Sequence, residues 1–392
     1  MNHLEVICRD PLVARDGRPF DAGGKMRCVP WLLPSVVAGS LRTLLGKLKD
    51  PSFGGDLPDR LKQVSVHGFL PKGPDGLYFP KPEDCLARPG VGDGAQPDLL
   101  ATRPVEIHPG QGCDLPEGNL RPVMLAATQS GSEFKPAPLP EWWPQAAMVQ
   151  WLMNQPVRLD GSFLGKPLED DRVHLEVQPE TGAAEDGKIF STASLALGSL
   201  PYFIPKNEEK KLLAVTYPLR ILADAALGGP LATLDQNHPL GGESRTAHWR
   251  HTSNTQAASV WDCPQQIRQA LQKNPDKIRL VLATPAIFKS GWRPGWLEMQ
   301  DGFWQGTPPG LDGVCLRLVG ASMPRWRAIS GWSLAAPFGP KPTRRMVSAG
   351  AVYFFEKVSG AAEKISAGWL QPVADDAQDR RDGFGLALWG VW

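Results

Sequence analysis

Acid–base, nucleophilic and metal chemistry each need particular side chains at particular spacings, and this chain offers few of them. His248 and His251 stand three residues apart, with Cys263 further on. On a strand, residues three apart point to opposite faces, which spoils chelation, so the pair reads as polar residues beside a strand end. His3, His67, His108, His174 and His238 are scattered, without the Lys or Tyr partner that metal-independent RNA cleavage would want. No H-E-x-x-H, G-x-S-x-G or Walker A pattern occurs. The expectation is a protein without catalytic residues, metal or cofactor.

Anion binding is better served. Arg15, Arg18 and Lys25 lie in or next to the loop Asp10 to Gly24, and Ser40 and Arg42 sit near the start of a helix pattern. Arg245 closes the run Gly241-Gly242-Glu243-Ser244-Arg245, and Arg293, Lys341, Arg344 and Arg345 follow in the second half. Gly17, Gly23, Gly24, Gly39 and Gly291 accompany several of them. A glycine beside an arginine lets a backbone N–H approach a phosphate while the guanidinium forks onto it. Two readings stay open for Arg15 and Arg18: phosphate contacts, or surface ion pairs with Asp16 and Asp21, which are worth little. Arg344 and Arg345 equally fit a solvated strand end. Gly383 and Gly385 form a G-x-G with no helix after it, so it is no dinucleotide fingerprint. They suit close approach of another backbone, or a glycine bulge before a last strand.

The elements that must position these residues can be read from periodicity. Leu4 to Cys8 is a short strand, and Val36, Val37, Leu41, Leu44, Leu45 and Leu48 recur at helical spacing after Pro34, with Ser35 as the expected N-cap. A strand, a basic loop and a helix N-terminus therefore meet at one sheet edge, a good arrangement for holding phosphates. Gln63–Leu70 and Leu77–Pro80 read as a hairpin. Pro82 to Pro144 is Pro/Gly-rich and reads as an insertion packed through Leu99, Leu100, Val123, Met124 and Leu125. Asp170 to Ser199 is a long hairpin, Leu212–Leu222 and Thr246–His251 are strands, and Ala146–Leu152 and Pro264–Gln272 are short helices.

At Lys277 the pattern restarts. Ile278–Ala283 runs into Thr284-Pro285-Ala286-Ile287-Phe288-Lys289-Ser290-Gly291-Trp292-Arg293-Pro294, which echoes the first strand and its DPLVARDGRPF loop. Val314–Gly320, Trp326–Leu334, Thr343–Glu356 (broken at Gly350) and Gly385–Trp392 are strand-like, and Ala361–Leu370 is a helix. Strands broken by two short helices in each half fit an α+β chain of two tandem ferredoxin-like units. The expected division is residues 1–265, carrying an insertion (about 82–144) and a hairpin (about 170–199), and residues 276–392 with a glycine-rich tail.

Composition agrees. Of 392 residues, 41 are Gly and 39 Pro, which favours short strands and long loops over a helical bundle. Net charge is only +1, so any polyanion must be held by local patches or shared with partners. The start MNHLEVICRD does not resemble a signal peptide, no stretch approaches the ~18 apolar residues of a membrane span, and six cysteines include no C-x-x-C. The expectation is a cytoplasmic protein with reduced thiols and no membrane partner.

Several stretches together resemble one family. RDGRPF, PSVVAGSLR, YFPKPEDC, TGAAEDGKIFST, GGESR, TPAIFKSGWRP, SAGAVYFFE and GFGLALWG follow one another along nearly the whole chain. They are similar to the third Cmr subunit family, the handle-binding RAMP proteins of type III-B CRISPR effector complexes. The resemblance implies RRM-like (ferredoxin-like) domains, no nuclease activity, and a role holding the 5′ handle of the guide RNA (crRNA). It implies as partners the large polymerase-like subunit and the backbone RAMP subunit. The tail Gly383–Gly390 matches the RAMP glycine-rich segment, and the Asp170–Ser199 hairpin matches the RAMP thumb, although its tip PETGAAEDG is acidic. Competing readings are the equivalent subunit of a type III-A (Csm) complex, a stand-alone RAMP endoribonuclease that processes precursor guide RNA, and a structural interaction protein without RNA contact.

Overall fold

A computed structural model describes residues 1–392 apart from 16–24, 93–94, 109, 127–132, 204–210, 254–257 and 334–338. The architecture is mixed, with more strand than helix, and is built on two antiparallel sheets.

The first sheet forms around β1 (Asn2–Cys8). Leu4, Val6 and Cys8 alternate into the core. Next come α1 (Pro34–Lys49), α2 (Leu57–Gln63), β2 (Ser65–Gly68), β3 (Tyr217–Leu222), β4 (Asp235–Pro239) and β5 (Thr246–His251). The strand order is β4-β5-β1-β3-β2, with Leu4 facing Leu219 on one side and His251 on the other. α1 buries Val37, Ala38, Leu41, Leu44 and Leu45 as one stripe, and Lys47 and Lys49 complement the negative end of its dipole. Its N-cap is Leu33, not the expected Ser35: Pro34 takes the first helical position, where its missing N–H costs nothing. Between β3 and β4 the helical stretch is short, Ala225–Gly228 continued as a 3-10 turn to Thr233.

The second sheet contains β6 (Lys277–Leu282), β7 (Glu298–Gln300), β8 (Phe303–Gly306), β9 (Cys315–Ser322), β10 (Val352–Ser359) and, after the short helix α3 (Ala377–Asp382), β11 (Ala387–Val391). Its order is β7-β8-β9-β10-β6-β11. In each sheet the first strand in sequence lies between the third and fourth of a set of four, and the second strand pairs with the third. The halves differ between their first two strands: the first half has α1 and α2, whereas the second has the β7–β8 hairpin and no helix. Two short helices per half is therefore corrected for the second half. The expected Ala361–Leu370 helix is a 3-10 segment, Ala362–Gly368.

Two further expectations are corrected. Gln63–Leu70 and Leu77–Pro80 are not one hairpin. β2 pairs with β3, while Gly76–Pro80 pairs with Lys72–Gly73 and Trp142–Pro144. Leu212–Leu222 also splits, because Leu212–Ala214 pairs with Ser199–Pro201 and only Tyr217–Leu222 enters the sheet. The insertion has two short ladders, Cys85–Arg88 with Asp98–Ala101 and Arg103–Pro104 with Val123–Met124. Leu99, Leu100 and Val123 pack on the core, but Met124 is exposed. The long hairpin is present as Leu168–Val177 paired with Ala184–Ala196.

A candidate RNA-binding surface

The chain that leaves β1 is tied down at the end of the first sheet. Asp10 accepts from the amide and hydroxyl of Thr246, both at 2.8 Å, which hold its carboxyl below the usual carboxylate range. Leu12 then bridges Leu195 of the long hairpin, Val13 bridges Gly242, and Arg15 bridges Cys28. The Arg15 side chain is exposed. Arg245 lies in the adjoining turn, with Nη2 3.5 Å from Glu243. Ser40 donates to the carbonyl of Pro239 at 2.5 Å, and Pro239 faces Thr246 across the ladder. Arg15, Ser40 and Arg245 are thus brought to one end of the sheet. Arg18 lies outside the described residues. Lys25 belongs to a two-residue strand that pairs with the hairpin at Ser191.

α1 connects this end to the second half. Arg42 does not face solvent with the other cations. Its side chain is 12% exposed, and the guanidinium pairs with Asp382 of α3 at 2.5 Å and donates twice to the Val64 carbonyl. Three of its five N–H donors are thus used inside the chain. Arg344 is also committed, forking onto both carboxylate oxygens of Asp379 at 2.7 and 2.9 Å. Burial raises the Asp379 carboxyl above its ordinary value despite this partner. The fork joins Arg344, whose side chain is 43% exposed, to α3.

Gly383 and Gly385 shape the turn after α3. Gly383 caps the helix at φ 89°, and a Cβ there would stand 2.6 Å from the Val66 carbonyl of β2. Gly385, at φ 75°, would meet the Ala374 amide nitrogen at 2.9 Å. Both glycines permit close backbone approach within the chain. Between them Phe384 is buried with Ile287, Ile329, Met346 and Ala374, against Leu33 at the α1 N-terminus.

Ile329 and Met346 belong to an arm in which Arg327–Ile329 pairs with Arg344–Met346, and Trp332–Ser333 with Gly339–Pro340. The arm thereby sits beside the positive end of α1. Lys341 and Arg345 are exposed on it, and Arg345 lies 5.0 Å over the Trp326 ring. Arg325, Trp326, Arg327 and Trp332 are also exposed, and the sequence reading did not single them out. A signal was present: no Asp or Glu occurs between Asp312 and Glu356, while six Lys and Arg do.

Arg293 belongs to the loop whose Lys289 and Gly295 amides donate to Asp375. It stacks 3.4 Å over the Trp304 ring, and partial burial lowers its pKa. Two of the histidines are held inside the fold. His67 is buried between the Arg220 guanidinium and the Arg380 carbonyl, and its pKa is pushed down to about 3 by burial and by Arg220. His174 stacks on Phe190 and meets the Thr192 hydroxyl at 2.8 Å. Among the described residues no three His, Cys, Asp or Glu side chains gather as a metal site, and no helix is long and apolar enough to cross a membrane.

Comparisons place these features in a family. No curated protein matches the sequence. Among solved structures, the chain is similar to one in the cryo-EM structure of the type III-B Cmr-beta bound to cognate target RNA. That match has a TM-score of 0.47 and 14% identity, covering 91% of this chain and 86% of the other. The same complex with AMPPnP, state 1, gives 0.44 and 13%, covering 90% and 86%. A chain of the Csm3–Csm4 subcomplex of a type III-A CRISPR–Cas interference complex gives 0.32 and 9%, covering 92% and 94%. The family model of the CRISPR-associated protein (Cas_Cmr3) matches residues 4–392, so the chain belongs to the Cas_Cmr3 family.

Proposed function

We propose that this chain is a non-catalytic RNA-binding subunit of a type III-B CRISPR effector complex, and that it holds the 5′ handle of the guide RNA. Family membership supports the complex. The observation that carries RNA binding is charge placement. In a chain of net charge +1, residues 313–355 hold no carboxylate, and the exposed arm within that run, with Arg325, Arg327, Lys341 and Arg345, lies beside the α1 N-terminus. Arg15 and Arg245 sit at the end of the same sheet that α1 covers. Guanidinium groups and a helix N-terminus are what phosphates want.

The shared strand arrangement of the two sheets supports reading the chain as two ferredoxin-like units, about 1–265 and 276–392, the second without its first helix. The long hairpin suits a protein neighbour better than RNA. Val173, Leu175, Val177 and Ile189 are exposed on it, and seven acidic residues between 168 and 196 face two basic ones. The large polymerase-like subunit and the backbone RAMP subunit are the partners this reading supplies.

The test is binding of the chain, alone and with the large subunit, to two short RNAs, one bearing the repeat-derived 5′ tag and one with that tag scrambled. A gel follows cleavage of both. Tag-dependent binding without cleavage is expected. Cleavage at the repeat would make the chain a processing nuclease, and no binding in either form would leave it a structural subunit.

A further inference from the structure

Most tryptophans here are packed away: Trp143, Trp249 and Trp389 have no exposure. Trp326 and Trp332, on one arm, are 56% and 64% exposed. A bare indole keeps a large apolar area in water, which favours any ligand that covers it. The arm is not a loose loop. Ile329 and Met346 are buried beneath it, and the ladder pairs Ala328 with Arg345. Alternation along the strand puts Trp326 on the face of Ala328 and Arg345, where the Arg345 guanidinium lies against the indole. Among the described residues Arg325, Arg327, Lys341 and Arg345 form no ion pair.

An exposed π face beside uncompensated cations matches a strand of phosphates whose bases are free to stack. A duplex would offer the phosphates but hide the base faces. We infer that Trp326 and Trp332 form a base-stacking platform for single-stranded RNA, with Arg325, Arg327 and Arg345 on its phosphates. The inference rests on the RNA-binding reading above and adds to it a contact indifferent to base order.

The test measures anisotropy of three labelled oligonucleotides of equal length with the 392-residue chain: mixed-sequence single-stranded RNA, the same backbone made abasic, and duplex RNA. The wild type is expected to bind the single strand at least tenfold tighter than either control. Trp326→Ala with Trp332→Ala is expected to lose roughly 5- to 100-fold on the single strand and nothing on the abasic strand. Phe at both positions should restore most of the loss. Arg325→Ala with Arg345→Ala should weaken binding of all three and flatten the salt dependence. An unchanged affinity in the Ala pair, or an equal loss on the abasic strand, overturns the platform. So does intact RNA affinity with lost association to a neighbouring subunit, which would make the arm a protein contact. Melting temperatures of each variant separate these outcomes from misfolding. A scrambled-tag strand in the same assay separates the two readings: no tag preference with a persisting Trp effect removes the handle role and keeps the platform.

Discussion

Asp84 Oδ2 lies 2.6 Å from Arg279 Nη1, and neither side chain is exposed to solvent. The residues are 195 positions apart: one lies near the start of the insertion, the other on β6, between β10 and β11 in the second sheet. Asp84 also accepts from Trp151 Nε1 at 2.7 Å and from Arg103 Nη1 at 3.0 Å, and Arg279 donates to the Trp151 carbonyl. One carboxylate thus ties the insertion, the helix Gln145–Leu152 and the second sheet together. Removing it strands buried positive charge. Asp84→Ala is expected to destabilise the chain by about 3–5 kcal/mol, read by urea denaturation. A loss below ~1 kcal/mol would show that the site rehydrates.

Arg15 and Arg42 should separate cleanly. Arg42→Ala removes the charged partner of Asp382, which keeps only the Gln378 amide on that oxygen, and leaves the Val64 carbonyl without its Arg42 donors. It is expected to cost about 1–3 kcal/mol of stability with RNA affinity unchanged, measured by melting and by anisotropy. Arg15→Ala is expected to lose about 1–3 kcal/mol of handle affinity in the same anisotropy assay. Equal effects of the two on RNA binding would contradict the division.

His67 builds an acid sensitivity into the fold. Its folded pKa is about 3, lowered by burial and then by Arg220, against 6.5 ordinarily. Between those values the unfolded chain binds the extra proton and the folded chain does not. The contribution of His67 to stability is therefore constant above pH 6.5 and falls by up to about 1.4 kcal/mol per unit as pH drops toward 3. Subtracting the stability profile of His67→Gln from that of the wild type should isolate this slope. A flat difference would mean that the ring protonates in place.

Gly383→Ala tests the tail. The φ of 89° penalises any Cβ, and the Val66 carbonyl 2.6 Å away occupies its space. A loss of about 2–3 kcal/mol is expected in chemical denaturation. Gly39→Ala, where the new methyl meets nothing within 4 Å, should be neutral or slightly stabilising.

By itself the sequence determined the local elements. Leu4–Cys8, the α1 stripe, the long hairpin and Lys277–Leu282 were legible because alternation or a 3.6-residue repeat is written into adjacent residues. α3 escaped notice because DDAQDRRD has no apolar stripe, and its Asp376 cap is intelligible only once the helix exists. Tertiary structure alone decided which cations stay free. Arg42, Arg344 and Arg345 look alike in the chain. The first finds Asp382 across 340 residues and the second finds Asp379, while the third is left against an exposed indole. No local spacing encodes that outcome, because a guanidinium's availability depends on which carboxylate the fold delivers to it.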